Sequence, residues 1–316
     1  MKHKLKISIL IIVMFLVTQF IGLYVVNSYA TQKVVNGQVV NQTGKILPYE
    51  MGFHSEEQGL DTGSILFSFL FSLLIAIGII LILVKIKARF IMRAWFFVVS
   101  AIALGISFTA FLPEIKYASW IALAISLPFV VGKVYGKNMI VHNLTELFIY
   151  PGIAAIFVQV LNLVGIIFLL VVISIYDMWA VWKSKIMQKM ANFQMNELHI
   201  LGGIMIPYAS KKTKEKIKKM KLKYKTKKKI EESLKKSKIR IEMAILGGGD
   251  IVFPIITSGV ILKTWGLIPA IVVVFGALLG LSGLIFFGEK KKMYPAMPFI
   301  SAGIFLALIV DYLFLI

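Results

Sequence analysis

Along most of the chain, apolar residues form long unbroken runs separated by short polar or basic stretches, unlike the interrupted stripe of a surface helix. A helix needs about 20 mostly apolar residues to cross roughly 30 Å of hydrocarbon, and it satisfies its own backbone while doing so. Runs of this kind lie at 7–26, 64–84, 94–112, 118–136, 139–159, 161–182, 241–262, 264–287 and 295–315. The pattern predicts an all-α polytopic membrane protein of about nine transmembrane helices. Lys133, Lys137, His142 and Glu146 interrupt the fourth and fifth runs, so the predicted number ranges from seven to nine. The organisation expected is a six-helix N-terminal membrane part over 1–182, a basic loop over 183–240 and a three-helix C-terminal part over 241–316.

Composition agrees with burial in lipid. Hydrophobic residues make up 59% of the 316 positions and charged residues 16%, and mean hydropathy is +0.86, outside the range of soluble domains. The first run follows Lys2, Lys4 and Lys6 and precedes Ser28-Tyr29-Ala30, which together look like a signal peptide with a cleavage site. Its apolar stretch exceeds the roughly 7–15 residues of a signal h-region, so it is read as a retained span.

Lys and Arg placement sets orientation independently of hydropathy, because cytoplasmic loops collect positive charge. With the N-terminus inside, nearly all of the 35 basic residues face the cytoplasm, and only Lys33, Lys45, Lys116 and Lys263 fall elsewhere. The expectation is a cytoplasmic N-terminus, an outside C-terminus and a multi-pass protein of the cell membrane. The net charge of +20 is concentrated in the 183–240 loop. Lysines there alternate with Ile217, Met220, Leu222 and Tyr224. That pattern points to anionic lipid at the 211–240 loop rather than nucleic acid.

Several chemistries are excluded. There is no cysteine, hence no disulfide, thiolate nucleophile or Cys-ligated metal. The four histidines, His3, His54, His142 and His199, have no metal-ligand spacing, and no phosphate-binding loop motif occurs. No metal and no cofactor are expected.

What remains is carboxylate chemistry. An acid deep in a span is costly and therefore a candidate functional residue. Asp311 lies within about one turn of the outer end of its run, where it would reach the interface. Glu146 stands at i+4 from His142, an arrangement suited to interhelical hydrogen bonding. Asp177 and Asp250 are the deep pair. If both runs are helical throughout, Asp177 lies about 9 Å and Asp250 about 13 Å from the cytoplasmic edge on consecutive antiparallel helices. Two facing carboxylates in a low-dielectric site do not both ionise, so one acts as base and the other as acid. Such a pair activates water for amide hydrolysis. It equally suits a proton- or cation-coupled transporter or channel, and the acids alone do not separate the two.

The surrounding residues do. Tyr176-Asp177 in one run, Gly247-Gly248-Gly249-Asp250 after the long loop, and Pro295-Ala296-Met297-Pro298 before the last run follow one another in that order. In this order and spacing they resemble the presenilin and signal peptide peptidase family of GxGD intramembrane aspartyl proteases. The resemblance implies that Asp177 and Asp250 are the catalytic pair and that Tyr176 is the tyrosine preceding the first. It makes Gly247 and Gly249 the glycines of close backbone approach, with Gly248 between them. Pro295, Ala296 and Met297 match the loop that helps hold substrate, with Met where the family usually has Leu, a change that conserves volume. It further implies substrates that are transmembrane helices. These must unwind before attack, and the residues before Asp250, including Met243 to Leu246, and the loop before Pro295 would then offer strand-like edges.

Overall fold

The computed structural model describes residues 5–30, 32–35, 38–41, 44–50, 88–136, 138–183, 202–208, 242–288 and 294–314, with scattered positions between 67 and 86. Eight helices are described: α1 (Leu5–Tyr29), α2 (Arg89–Phe111), α3 (Ala118–Val134), α4 (Met139–Val160), α5 (Leu163–Met178), α6 (Gly248–Thr264), α7 (Leu267–Phe287) and α8 (Met297–Phe314). Each falls within or across one of the apolar runs, and in the run at 64–84 described positions such as Phe67, Phe71 and Ile75 are helical. A π-helical turn, Trp179–Lys183, extends α5. Six of these segments are long and apolar enough to cross a membrane: α1, α2, α4, α5 with its extension, α7 and α8. The helices α3 and α6, at 17 residues each, are shorter.

The expectation of an all-α protein needs correction, because two antiparallel hairpins accompany the helices. Strands β1 (Gln32–Val35) and β2 (Gln38–Asn41) pair from Gln32 opposite Asn41 to Val35 opposite Gln38. Strands β3 (Gly203–Tyr208) and β4 (Glu242–Gly247) pair from Gly203 opposite Gly247 to Tyr208 opposite Glu242. The second hairpin alters two sequence readings. The 183–240 segment is not only a basic loop, since its β3 portion buries Ile204 and Ile206. The run at 241–262 does not begin as helix. Ala244 and Leu246 are buried while Met243 and Ile245 are exposed, the period-two burial of a strand. All four residues are apolar, so a hydropathy pattern cannot reveal that alternation.

One large core joins α1, α4, α5, α6, α7, α8 and the β3–β4 hairpin, from Phe15 and Leu23 to Ile255, Val273 and Ile304. A smaller one joins α2, α3 and α4 through Leu104, Val130 and Ile149. The α4 helix belongs to both and packs against α1, α2, α3, α6 and β3. The α7–α8 pair meets where Gly276 and Gly303 approach each other's backbone, leaving no room for a Cβ at either. Close approach of small residues is how helices gain contact where lipid offers no hydrophobic drive.

Candidate active site

Asp177 lies near the end of α5, 6% exposed. Its Oδ2 accepts a hydrogen bond from the Met297 backbone N–H at 3.1 Å, and the Ala296 N–H is also directed at this carboxylate. Met297 opens α8, whose first amides have no partner within the helix, so the carboxylate of one helix caps the start of another. One turn before Asp177, Ser174 Oγ and Ser301 Oγ lie 2.9 Å apart and tie the same two helices. Pro295 and Met297 are buried, and Ala296 packs on the main core. The first aspartate and the proline-containing motif are thus brought together from positions 120 residues apart in the chain. Tyr176, the neighbour of Asp177, is 42% exposed, with its ring 6.2 Å from that of Trp179.

Asp250 occupies a different setting, at the switch from β4 into α6. It stands in the first turn of α6, not deep within a continuous helix as the apolar run suggested. Gly247 is the N-cap, and a Cβ there would lie 3.1 Å from Asp250 Oδ2, so the carboxylate folds back over this glycine. A Cβ on Gly248 would meet the Tyr150 ring at 2.8 Å, closer than carbon atoms pack, whereas one on Gly249 would make ordinary contact with Phe253 at 3.7 Å. The pair of glycines with no room to spare is therefore Gly247 and Gly248, not Gly247 and Gly249. Pro254 lies inside α6 four residues after Asp250 and supplies no N–H for the Asp250 carbonyl. Next to this opening in the ladder, the buried Gln19 of α1 donates from Nε2 to the Ile251 carbonyl at 3.0 Å. Helices α5 and α6, which carry the two aspartates, pack against one another.

The remaining acids have structural surroundings. Glu146 and His142 meet Lys133 and the backbone of β3, which agrees with an interhelical hydrogen-bonding role and adds the hairpin as its partner. Asp311 lies in the last turn of α8, as its place in the apolar run indicated. It is fully buried, and neither carboxylate oxygen has a hydrogen-bond partner among the described residues. Among the described residues no group of three or more His, Asp or Glu side chains could hold a metal ion.

The family model described as signal-peptide peptidase, presenilin aspartyl protease matches residues 48–315. The chain belongs to this family. Two solved structures of a presenilin family intramembrane aspartate protease, in C222 and P2 crystal forms, share its fold at TM-scores of 0.57 and 0.55. Both are 17% identical to it and cover 96% of this chain, and the alignment takes in 98% and 96% of theirs. No curated protein matches the chain. The protein is an intramembrane aspartyl protease of the presenilin and signal peptide peptidase type, a multi-pass membrane protein. The transporter reading finds no support in these relationships. Membership in the family was legible in the three motifs. Sequence reasoning passed over Gln19 and Tyr150, which meet the backbone of the Asp250 helix, and Asn143, which bonds Met205 on the neighbouring strand β3. A buried polar residue in an otherwise apolar span, as Gln19 is, was the available signal.

Proposed function

We propose that Asp177 and Asp250 are the catalytic pair of this protease and hydrolyse peptide bonds within transmembrane helices. The observation that carries the assignment is the hydrogen bond from the Met297 N–H to Asp177. It docks the Pro295-Ala296-Met297 segment against α5, the helix of the first aspartate, which packs against α6, whose first turn holds Asp250. In the reaction one carboxylate takes a proton from water, and the water oxygen adds to the scissile carbonyl. The other carboxylate, protonated at the start, donates to the carbonyl oxygen as the tetrahedral intermediate forms. The carboxyl that took the water proton gives it to the leaving nitrogen as the C–N bond breaks. The other carboxylate takes back a proton from a hydroxyl of the intermediate as the product carboxyl forms, and the pair returns to its starting state without a covalent intermediate. Tyr176, Gly247, Gly248 and Gly249 shape the site, and Pro295, Ala296 and Met297 border the bound substrate. Purified protein in detergent is expected to cleave a transmembrane peptide. Asp177→Asn and Asp250→Asn are each expected to abolish that cleavage, and persisting turnover in either variant would overturn the assignment.

A substrate helix hides its peptide bonds in its own ladder, so it must open before water reaches them. The opened segment then adds as a strand to β4, which leads straight into Asp250 and has β3 as its strand neighbour among the described residues. Hydrogen exchange that leaves Met243 to Leu246 unprotected when substrate binds would count against this step.

For the whole chain we propose nine spans in the cell membrane. The N-terminus and the 183–240 segment are cytoplasmic, the C-terminus lies outside, and the 211–240 lysines rest on anionic lipid. Membrane parts at 1–182 and 241–316 flank the basic segment. The distribution of basic residues supports this arrangement. With no native cysteine, single cysteines at Lys4, Lys214 and Tyr312 report their side directly to a membrane-impermeant maleimide. Labelling of Lys4→Cys and Lys214→Cys from opposite faces would refute it.

A further inference from the structure

The first turns of α4 carry a row of polar side chains that the hydrolytic chemistry does not use. His142, Glu146 and Tyr150 follow at i, i+4 and i+8 and so share one helix face, with Asn143 beside them. Lys133, from the last turn of α3, places Nζ 2.9 Å from Glu146 Oε1, with both side chains almost entirely buried. Gly203 donates its N–H to Glu146 Oε1 at 3.4 Å, and His142 Nε2 lies 3.0 Å from the Gly203 carbonyl oxygen. Two residues on, the Asn143 amide bonds Met205 in both directions. Nδ2 donates to the Met205 carbonyl at 2.8 Å, and the Met205 N–H donates to Oδ1 at 2.9 Å.

The geometry of a two-stranded ladder gives these bonds a meaning. In an antiparallel pair the N–H and C=O of one residue point to the same side, and alternate residues point to opposite sides. Gly203 and Met205 are two apart on β3, and their backbone groups bond to α4 instead of β4. They are the outward-facing groups of the β3 edge, which would otherwise be open to another strand. Gly203 itself adopts φ 131 and has no space for a Cβ beside the Leu246 carbonyl. It stands opposite Gly247, the N-cap of the Asp250 helix. The same α4 row then reaches Tyr150, whose ring lies against Gly248.

We propose that Asn143, Glu146, His142 and Lys133 are positioning residues that seal the β3 edge and hold the hairpin against α4. A substrate strand is thereby directed to β4, in register with Asp250. The inference rests on Asp250 being one of the catalytic pair. The side chains satisfy the backbone groups that a misplaced substrate strand would use, and they anchor the residue opposite Gly247 from the far side of the ladder.

The test uses the full-length protein in detergent, a transmembrane peptide as substrate, and the variants Asn143→Leu, Lys133→Met and Lys133→Arg. The readouts are kcat per folded molecule, KM, the positions cut, and amide exchange at Gly203 and Met205. Asn143→Leu conserves size and strands no charge, so it remains informative should Lys133→Met fail to fold. Asn143→Leu is expected to speed exchange at Met205, to lower kcat by about tenfold to a hundredfold through misplacement of the scissile bond, and to spread the cut over neighbouring bonds. Lys133→Arg, which keeps a donor for Glu146, is expected to recover most of what Lys133→Met loses. The inference is overturned if Asn143→Leu speeds exchange but leaves kcat per folded molecule and the cut positions unchanged, or if exchange itself does not change. With Asp250→Asn inactive, either result rejects the clamp alone; an active Asp250→Asn rejects the catalytic pair instead.

Discussion

Asp177 and Asp250 sit on neighbouring helices, yet the protein holds them in contrasting ways. Asp177 lies in the last turn of α5, which a π-helical turn continues, and is fixed by contacts from α8, through the Met297 and Ala296 amides and the Ser174–Ser301 bond. Asp250 stands where a strand becomes a helix, and that junction is held from several directions. Tyr150 of α4 lies against Gly248, Gln19 of α1 bonds the Ile251 carbonyl, and the β3 strand pairs with the residues just before it. A side chain on a helix that continues past it, as α5 does through its π-turn, needs little help from elsewhere, because the backbone ladder runs on beyond it. A strand-to-helix junction interrupted four residues later by Pro254 is missing part of that ladder, and other elements must complete it. One aspartate is therefore placed mainly by local structure and the other mainly by tertiary contacts.

The largest expected effect is where the two are equivalent. Asp177→Asn and Asp250→Asn should each reduce peptide cleavage by at least about a thousandfold, since each removes one half of an acid–base pair. A marked inequality between them would show that only one carboxylate handles protons. The next distinguishes the Asp250 junction. Gly248→Ala forces a Cβ against the Tyr150 ring and should cost about 1–3 kcal/mol in stability with a clear loss of turnover, whereas Gly249→Ala should cost much less. Thermal unfolding in detergent reads this directly, and equal losses would contradict the tight fit at Gly248. On the Asp177 side, Met297→Pro deletes the amide that bonds Oδ2 at a helix start, where proline is otherwise tolerated. It should lower kcat about tenfold relative to Met297→Leu, which keeps both the amide and the volume. The smallest is Gln19→Leu. Loss of its bond to Ile251 should lower stability by about 1 kcal/mol and move turnover more than a substitution at Ser174, whose partner only braces α8. A greater effect from Ser174→Ala would reverse the contrast between the two sides.

The sequence determined the membrane character of the chain, the approximate positions of its helices and the candidacy of Asp177 and Asp250. Each of these follows from local information: the length of apolar runs, the cost of an acid in hydrocarbon, and three motifs in fixed order. A strand-like edge at Met243 to Leu246 was expected from the needs of an unwound substrate, but its pairing with Gly203–Tyr208 was not legible, because Met243, Ala244, Ile245 and Leu246 are all apolar and so carry no visible alternation. The depth reckoned for Asp250 assumed a run helical throughout, and that premise fails for the same reason, since Glu242–Gly247 is a strand. The full burial of Asp311 also escaped the sequence, which reports nearness to the end of a span but not what packs around it. Only the tertiary structure decided that Met297 caps onto Asp177, that Gly248 rather than Gly249 lacks room for a side chain, and that α4 closes the β3 edge. Those facts depend on contacts between residues tens to hundreds of positions apart, and packing of that kind has no local signature in the order of amino acids.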